Sequence, residues 1–226
     1  MTTDLVVFKL MLKPLMRWAA PRALVGRNRS RQQPDLGRFT QQDVRRYLAE
    51  TWRAFDGLAP DVSKELTVGS RLNVRLAALT LAMHRSLTDA GIERGYAIEL
   101  LGDTCWQIYQ YWGSLGRFVA PLFPQRGLLA KRPRPDGTWP IAFRFTYPGY
   151  VARYVPTEKG VGFDMVRCPV AEYFRAQGAG DVAVGSWCTL DYALGDVGQI
   201  RMARRTQTLA AGDSRCDFRL WPADPE

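Results

Sequence analysis

One histidine, four cysteines and five lysines in 226 residues already narrow what this chain can do. With His84 as its single imidazole, multi-histidine metal sites are excluded, and a Ser-His-Asp relay would have to pass through that one residue. Four cysteines are too few for a disulfide scaffold at this length, which points to a reducing compartment, the cytoplasm being the expected location. No run of about 18 uninterrupted apolar residues occurs, so no spanning helix is expected. A secretory leader is not expected either. Asp4 stands where cations should, and Lys9, Lys13 and Arg17 interrupt the apolar run behind it. Acidic residues number 22 against 31 basic ones, a net charge of +9 that excludes an acidic disordered chain. What is present, 46% hydrophobic and 12% aromatic residues, suits a packed protein of one or two domains.

Lysine being rare, 26 of the 31 cations are arginines, which recognise carboxylate and phosphate bidentately. That leaves anionic partners open, while general basicity with a compositional preference for arginine is the simpler reading. The arginines are scattered among apolar and acidic residues, and no nucleic-acid-binding module accompanies them, so no nucleic-acid partner is expected. The one dense run, Arg22, Arg27, Arg29 and Arg31, lies in a Pro/Gly/Ser/Asn-containing stretch and reads as a solvated connector.

Apolar spacing divides the chain into a helical half and a mixed half. Residues 4–20 place Leu5, Phe8, Leu12, Leu15 and Met16 on one helical face and Lys9, Lys13 and Arg17 on another. This basic amphipathic helix could lie on an anionic membrane surface, pack on the body of the protein, or join copies in a homo-oligomer. Pro21, Gly26 and Pro34 make residues 21–38 a loop. Thr40 followed by Asp43 predicts a capped helix start, with Val44, Tyr47, Leu48, Trp52 and Phe55 as its stripe. Two more helices are expected, over 70–90 with Gly91 as the stop and over 95–118.

Beyond Pro124 the character changes. Residues 124–140 read as a linker, and Ile141–Tyr147 alternates as a strand with which Tyr150–Val155 could pair. Gly162–Arg167, Gln199–Leu209 and Cys216–Trp221 are further strands; a short helix follows Cys168-Pro169, and a longer one spans Asp181–Leu194. The expected fold class is α+β, a helical N-terminal half followed by a small antiparallel sheet with packed helices. Residues 1–38 form the amphipathic helix and basic connector. Residues 39–226 form a single α+β domain, helical over 39–124 and sheet-containing over 141–226.

Three of the four cysteines fall in the mixed half. Cys168 ends one strand, Cys216 opens another, and Cys188 with Asp191 forms a Cys-x-x-Asp whose side chains share a helical face. A thiol beside a carboxylate suits nucleophilic work: the sulfur attacks and the carboxylate moves the proton. The carboxylate also raises the thiol's pKa, so a cation must offset it, and Arg167, Arg201, Arg204, Arg205, Arg215 and Arg219 are the candidates. Burial as a small apolar side chain is the simpler role of a cysteine, and Cys105, within a helical core stripe, is read that way. His84 is read as a satisfied or exposed helix residue. Zinc held by three cysteines with Asp191 or water would lack a Cys-x-x-Cys, so no cofactor is expected. The rival to an enzyme is a small-molecule or metal-binding module in which Trp52, Trp106 and Trp112 wall an apolar pocket.

Four motifs occur in order: Phe163-Asp164-Met165-Val166-Arg167-Cys168-Pro169, Trp187-Cys188-Thr189-Leu190-Asp191, Arg205-Thr206-Gln207-Thr208-Leu209-Ala210-Ala211-Gly212, and Cys216-Asp217-Phe218. Together they resemble the L-2-amino-thiazoline-4-carboxylic acid hydrolase family over about residues 163–220. The resemblance implies a hydrolase that opens a C–N or C–S bond of a small carboxylate-bearing heterocycle. On that reading Cys188 attacks the ring carbon, Asp191 shuttles the proton, Cys216 or Cys168 assists, and Arg204 or Arg205 clamps the substrate carboxylate. Cys-x-x-Asp with a second cysteine also resembles the chemistry of organomercurial lyase, which makes a thiol/carboxylate lyase a further alternative.

Overall fold

Apolar spacing at the helical period buries one side of each early segment, and the mixed half alternates at the period of a sheet. A computed structural model describes residues 3–58, 62, 64–119, 145, 147–194 and 200–222. Helices α1 (Thr3–Leu24), α2 (Gln41–Leu58), α3 (Val68–Asp89) and α4 (Arg94–Val119) precede strands β1 (Val151–Val155) and β2 (Val161–Arg167). Helices α5 (Pro169–Ala176) and α6 (Gly180–Ser186) follow, then β3 (Ile200–Arg204) and β4 (Cys216–Pro222). The class is α+β, as expected. Contacts divide the chain into two units, 1–58 with 79–114 and 59–78 with 115–226, and α3 runs through both.

In the first unit the cap expected at α2 is reciprocal. The Thr40 amide donates to Asp43 at 2.9 Å, and the Asp43 amide donates to the Thr40 hydroxyl at 3.2 Å. Val44, Tyr47, Leu48 and Phe55 are buried behind that cap. Gly91, at φ 85°, ends α3 in the left-handed conformation that glycine adopts without strain. His84 is buried in α3. Cys105 is held in α4, where burial pushes its thiol up to about 12, the Thr80 hydrogen bond opposing.

Two expectations for this unit are corrected. Helix α1 does not stop at Pro21 but continues to Leu24, because Ala19, Ala20, Ala23 and Leu24 are buried, and that burial offsets a helix-interior proline's cost of about 3 kcal/mol. The arginine run is not a solvated connector. Arg27 pairs with Glu99 at 2.8 Å and Asp103 at 2.5 Å, Arg29 pairs with Asp43 at 2.6 Å, Arg31 pairs with Glu99, and Arg22 lies over the Trp18 ring.

In the second unit the sheet is antiparallel throughout, in the order β1-β2-β4-β3. Val161, Phe163 and Met165 of β2 stand opposite Leu220, Phe218 and Cys216 of β4, and these six share one buried face with Tyr150 and Ala152. Cys168, Met202 and Leu209 pack against that face.

Sequence and structure differ at three places here. The strand expected over 141–147 lies largely outside the described residues; Phe145 and Tyr147 are described and are not in a strand, while β1 pairs with β2. The helix expected over 181–194 breaks after Ser186 and continues as a 3-10 turn over Cys188–Leu194. The Ser186 hydroxyl donates to the Val182 carbonyl and that of Thr189 to the Gly185 carbonyl, local bonds that compete with a regular α-helix. The strand expected over 199–209 leaves the sheet after Arg204, because Asp217 takes the amides of Thr206 and Gln207 that a ladder would need.

Candidate active site

The 3-10 turn after α6 sets the first half of the site. Its three residues per turn stack positions i and i+3, so Cys188 and Asp191 share an edge even though the α-helix has ended. The second half comes from the segment between β3 and β4. Asp217 accepts the Thr206 amide, the Gln207 amide and the Thr206 hydroxyl, each at 2.7 Å, and Asp213 accepts the Thr208 amide at 2.7 Å. These four bonds fix where Thr208 stands.

Its hydroxyl lies between two thiols. Thr208 donates to Cys188 Sγ at 3.7 Å and lies 3.5 Å from Cys216 Sγ, which accepts the Leu209 amide at 3.2 Å. With the Cys216 S–H donating to Thr208, the chain of donors runs from Leu209 through Cys216 and Thr208 to Cys188. Cys168, at the start of α5, is close enough to feel the charges of Cys188, Cys216 and Asp191. Five sequence-predicted site residues are thus gathered: Cys168, Cys188, Asp191, Cys216 and Arg205.

The two candidate arginines diverge. Arg205 is buried, donates to Asp191 at 2.5 Å, and lies 4.8 Å from the Tyr192 ring centroid and 5.7 Å from that of Phe218. Arg204 points out of the cluster, with its side chain 68% exposed and its nearest acid, Asp217, 4.0 Å away. β3 ends at Arg204, and the chain leaving the sheet there carries Arg205 to the thiols while Arg204 stays in solvent.

Burial pushes the Cys188 thiol up to about 11; the Asp191 charge adds to the rise, and Thr208 and Arg205 oppose it. Burial also raises Cys168 and Cys216. Burial pushes the Asp191 carboxyl up to about 6, Arg205 counteracting. Burial alone would raise Asp217 too, but the Gln207 amide and the Thr206 hydroxyl and amide outweigh it and hold this carboxyl below the usual range. At neutral pH the cluster therefore holds protonated thiols beside an ionised base.

Thr208 and Asp217 were not singled out from the sequence as site residues, although both lie inside quoted motifs. The signal was the Thr-Gln-Thr run followed by Cys-Asp: hydroxyls and a carboxylate with no catalytic role of their own at that spacing, but able to bond local backbone. Among the described residues, no group of three or more His, Cys, Asp and Glu side chains is arranged to hold a metal ion. A depression lined by Arg29, Thr40, Gln42, Asp43 and Arg46 lies in the first unit, where Asp43 already caps α2 and pairs with both arginines.

These motif residues lie within one stretch of sequence that a known family shares. Residues 140–220 match the family model described as L-2-amino-thiazoline-4-carboxylic acid hydrolase. The family resemblance read from the motifs is supported there. The matched segment contains Cys168, Cys188, Asp191, Arg205, Thr208 and Cys216, and leaves α1 to α4 outside it. The family's name is that of a hydrolase acting on a thiazoline carboxylate. A search of curated proteins and a search of solved structures gave no match.

Close approach leaves no room for a methyl group at Gly180, the glycine where the two halves of the site meet. A Cβ on Gly180 would lie 2.3 Å from the Ala210 carbonyl oxygen, where α6 meets the turn that follows Thr208. Gly180→Ala should cost about 1–3 kcal/mol, read as a lowered urea midpoint. It should also lower turnover, since the two strained segments carry Cys188 and Thr208.

Proposed function

We propose that the second unit is a cysteine hydrolase that opens the ring of a 2-aminothiazoline-4-carboxylate-like substrate, with Cys188 as nucleophile and Asp191 as proton carrier. The observation that carries this reading is the donor chain ending on Cys188 Sγ, with an ionised carboxylate one 3-10 turn away. The matched family supports the substrate class. Cys216 is the less suitable nucleophile because it is 7% exposed and belongs to the apolar face of the sheet.

Cys188 is protonated at rest and has to lose its proton as it attacks. Asp191 accepts that proton while Sγ bonds to the ring carbon between sulfur and nitrogen. The tetrahedral adduct breaks the ring C–S or C–N bond, and Asp191 returns the proton to the leaving atom. Water then adds to the same carbon, Asp191 takes its proton, and collapse of this second adduct expels Cys188 as the thiol and leaves a carbamoyl product. Arg205 has five N–H donors, of which the bond to Asp191 uses one, so the same guanidinium can hold the substrate carboxylate. Thr208 and Cys216 stabilise negative charge as it develops on Cys188. Cys168, partly buried against the sheet face, assists as an apolar neighbour of the nucleophile.

Incubating the purified protein with 2-aminothiazoline-4-carboxylate tests the reading directly. Ring opening is expected, and a titratable small-molecule thiol in the product identifies C–S cleavage, whereas a free amine identifies C–N cleavage. An unchanged ring refutes the substrate assignment.

The pH profile tests the base. Below about 6 Asp191 carries a proton and cannot accept another, so kcat/KM should rise with pH through a midpoint near 6. Asp191→Asn should remove that inflection and lower kcat/KM by on the order of 10²–10⁴-fold. A profile that keeps its midpoint in this variant assigns the base elsewhere.

A further inference from the structure

Helix α1 is apolar on two sides. One side, with Phe8, Met16, Ala19, Ala20 and Ala23, is buried. The other carries Val6, Val7, Leu10 and Met11, which are 37%, 49%, 68% and 62% exposed. At 100° per residue these four line one stripe, and Lys13 and Arg17, also exposed, fall along its edge in the next two turns. Residues 5–24 contain no acid at all. Asp56 of α2, the acid that α1 engages through Lys9, bonds a lysine lying on the flank of the stripe.

A helix on the surface of a soluble protein turns polar residues outward. Here the outward side is apolar and cationic, the composition of a helix that lies in the headgroup interface of a bilayer. A second copy of the chain could also cover the apolar stripe, but two copies of a chain of net charge +9 repel each other, each bringing Lys13 and Arg17 to the edge of its stripe. Anionic headgroups attract the same cations. We infer that α1 docks this protein on an anionic lipid surface, with Val6, Val7, Leu10 and Met11 at the headgroup–acyl boundary and Lys13 and Arg17 on lipid phosphates. Among the described residues no helix is long and apolar enough to cross a membrane, so the contact is peripheral.

Co-sedimentation of the full chain with vesicles tests this. The protein should pellet with vesicles of phosphatidylcholine and phosphatidylglycerol, but far less with phosphatidylcholine alone, and added salt should weaken the binding. Lys13→Gln with Arg17→Gln should lower the partition coefficient about 25-fold, roughly fivefold for each cation removed. Leu10→Gln with Met11→Gln should weaken binding at every salt concentration while leaving the melting temperature of the parent, because both side chains are exposed. Equal binding to both kinds of vesicle, or to neither, overturns the inference. So does a dimer in solution that the Leu10/Met11 variant converts to a monomer, which would assign the stripe to a second copy.

Discussion

Cys188→Ser should fold as the parent does and lose thiazoline turnover by on the order of 10³-fold or more. The site is built so that the demand on sulfur is large. Burial holds the thiol up at about 11, so attack depends on proton removal by Asp191 in the same step. A serine hydroxyl is a weaker acid and a poorer nucleophile in that position, while its oxygen can still accept from Thr208, which leaves stability nearly unchanged. Cys216→Ala is the informative partner experiment. It removes the acceptor of the Leu209 amide and the donor to Thr208, costing about 1–3 kcal/mol of stability, and its effect on kcat should be much smaller than that of Cys188→Ser. The reverse order of effects on kcat would make Cys216 the nucleophile. Parental turnover by a folded Cys188→Ser protein would end the covalent reading.

Asp217→Ala should be the most destabilising of the site substitutions, at about 3–4 kcal/mol. The carboxylate is 5% exposed and accepts three bonds at 2.7 Å, two of them from backbone amides that would be left without a partner. Bonds to a charged acceptor contribute about 1.5–3 kcal/mol each, and three on one group are not additive. The loss is best read as a lowered denaturant midpoint. Asp217→Asn, which keeps one carbonyl oxygen, should cost about half as much. Both variants release Thr206 and Gln207, so Thr208 moves away from the thiols and turnover falls with stability. The pH dependence has a definite sign. Because the folded Asp217 carboxyl lies below its ordinary value, its contribution is present above about pH 4 and is lost as pH falls through the folded value. Acid sensitivity that is identical in the parent and in Asp217→Ala would remove this carboxylate from the account.

Much of the local structure is legible in the sequence, because it depends on neighbours in the chain. The Thr40/Asp43 cap, the glycine stop at Gly91, the helix after Cys168-Pro169, and strands β2 and β4 all rest on short-range patterns of hydroxyls, glycine, proline and alternating apolar residues. The Cys-x-x-Asp edge also survives, although the turn is 3-10 and not α, since a spacing of three stacks side chains in either case. Less legible is where regular structure stops. Ser186 and Thr189 end α6 through bonds to their own backbone, and Asp217, eleven residues from Thr206, ends β3 by capturing amides. Periodicity sees the apolar pattern and not these competitors.

By itself the sequence determined the reactive groups available: one imidazole, three late thiols, a carboxylate three residues from one of them, and arginine as the dominant cation. It also determined the α+β class through its change of hydrophobic period. The tertiary structure alone decided that Arg205 and not Arg204 meets Asp191, and that Thr208 stands between Cys188 and Cys216. It likewise decided that α1 presents Leu10 and Met11 to solvent while burying Phe8. Each of these depends on long-range pairing, chiefly the register of β4 against its neighbours and the packing partner of a helix, and pairing of that kind is an energy between distant residues that no local spacing records.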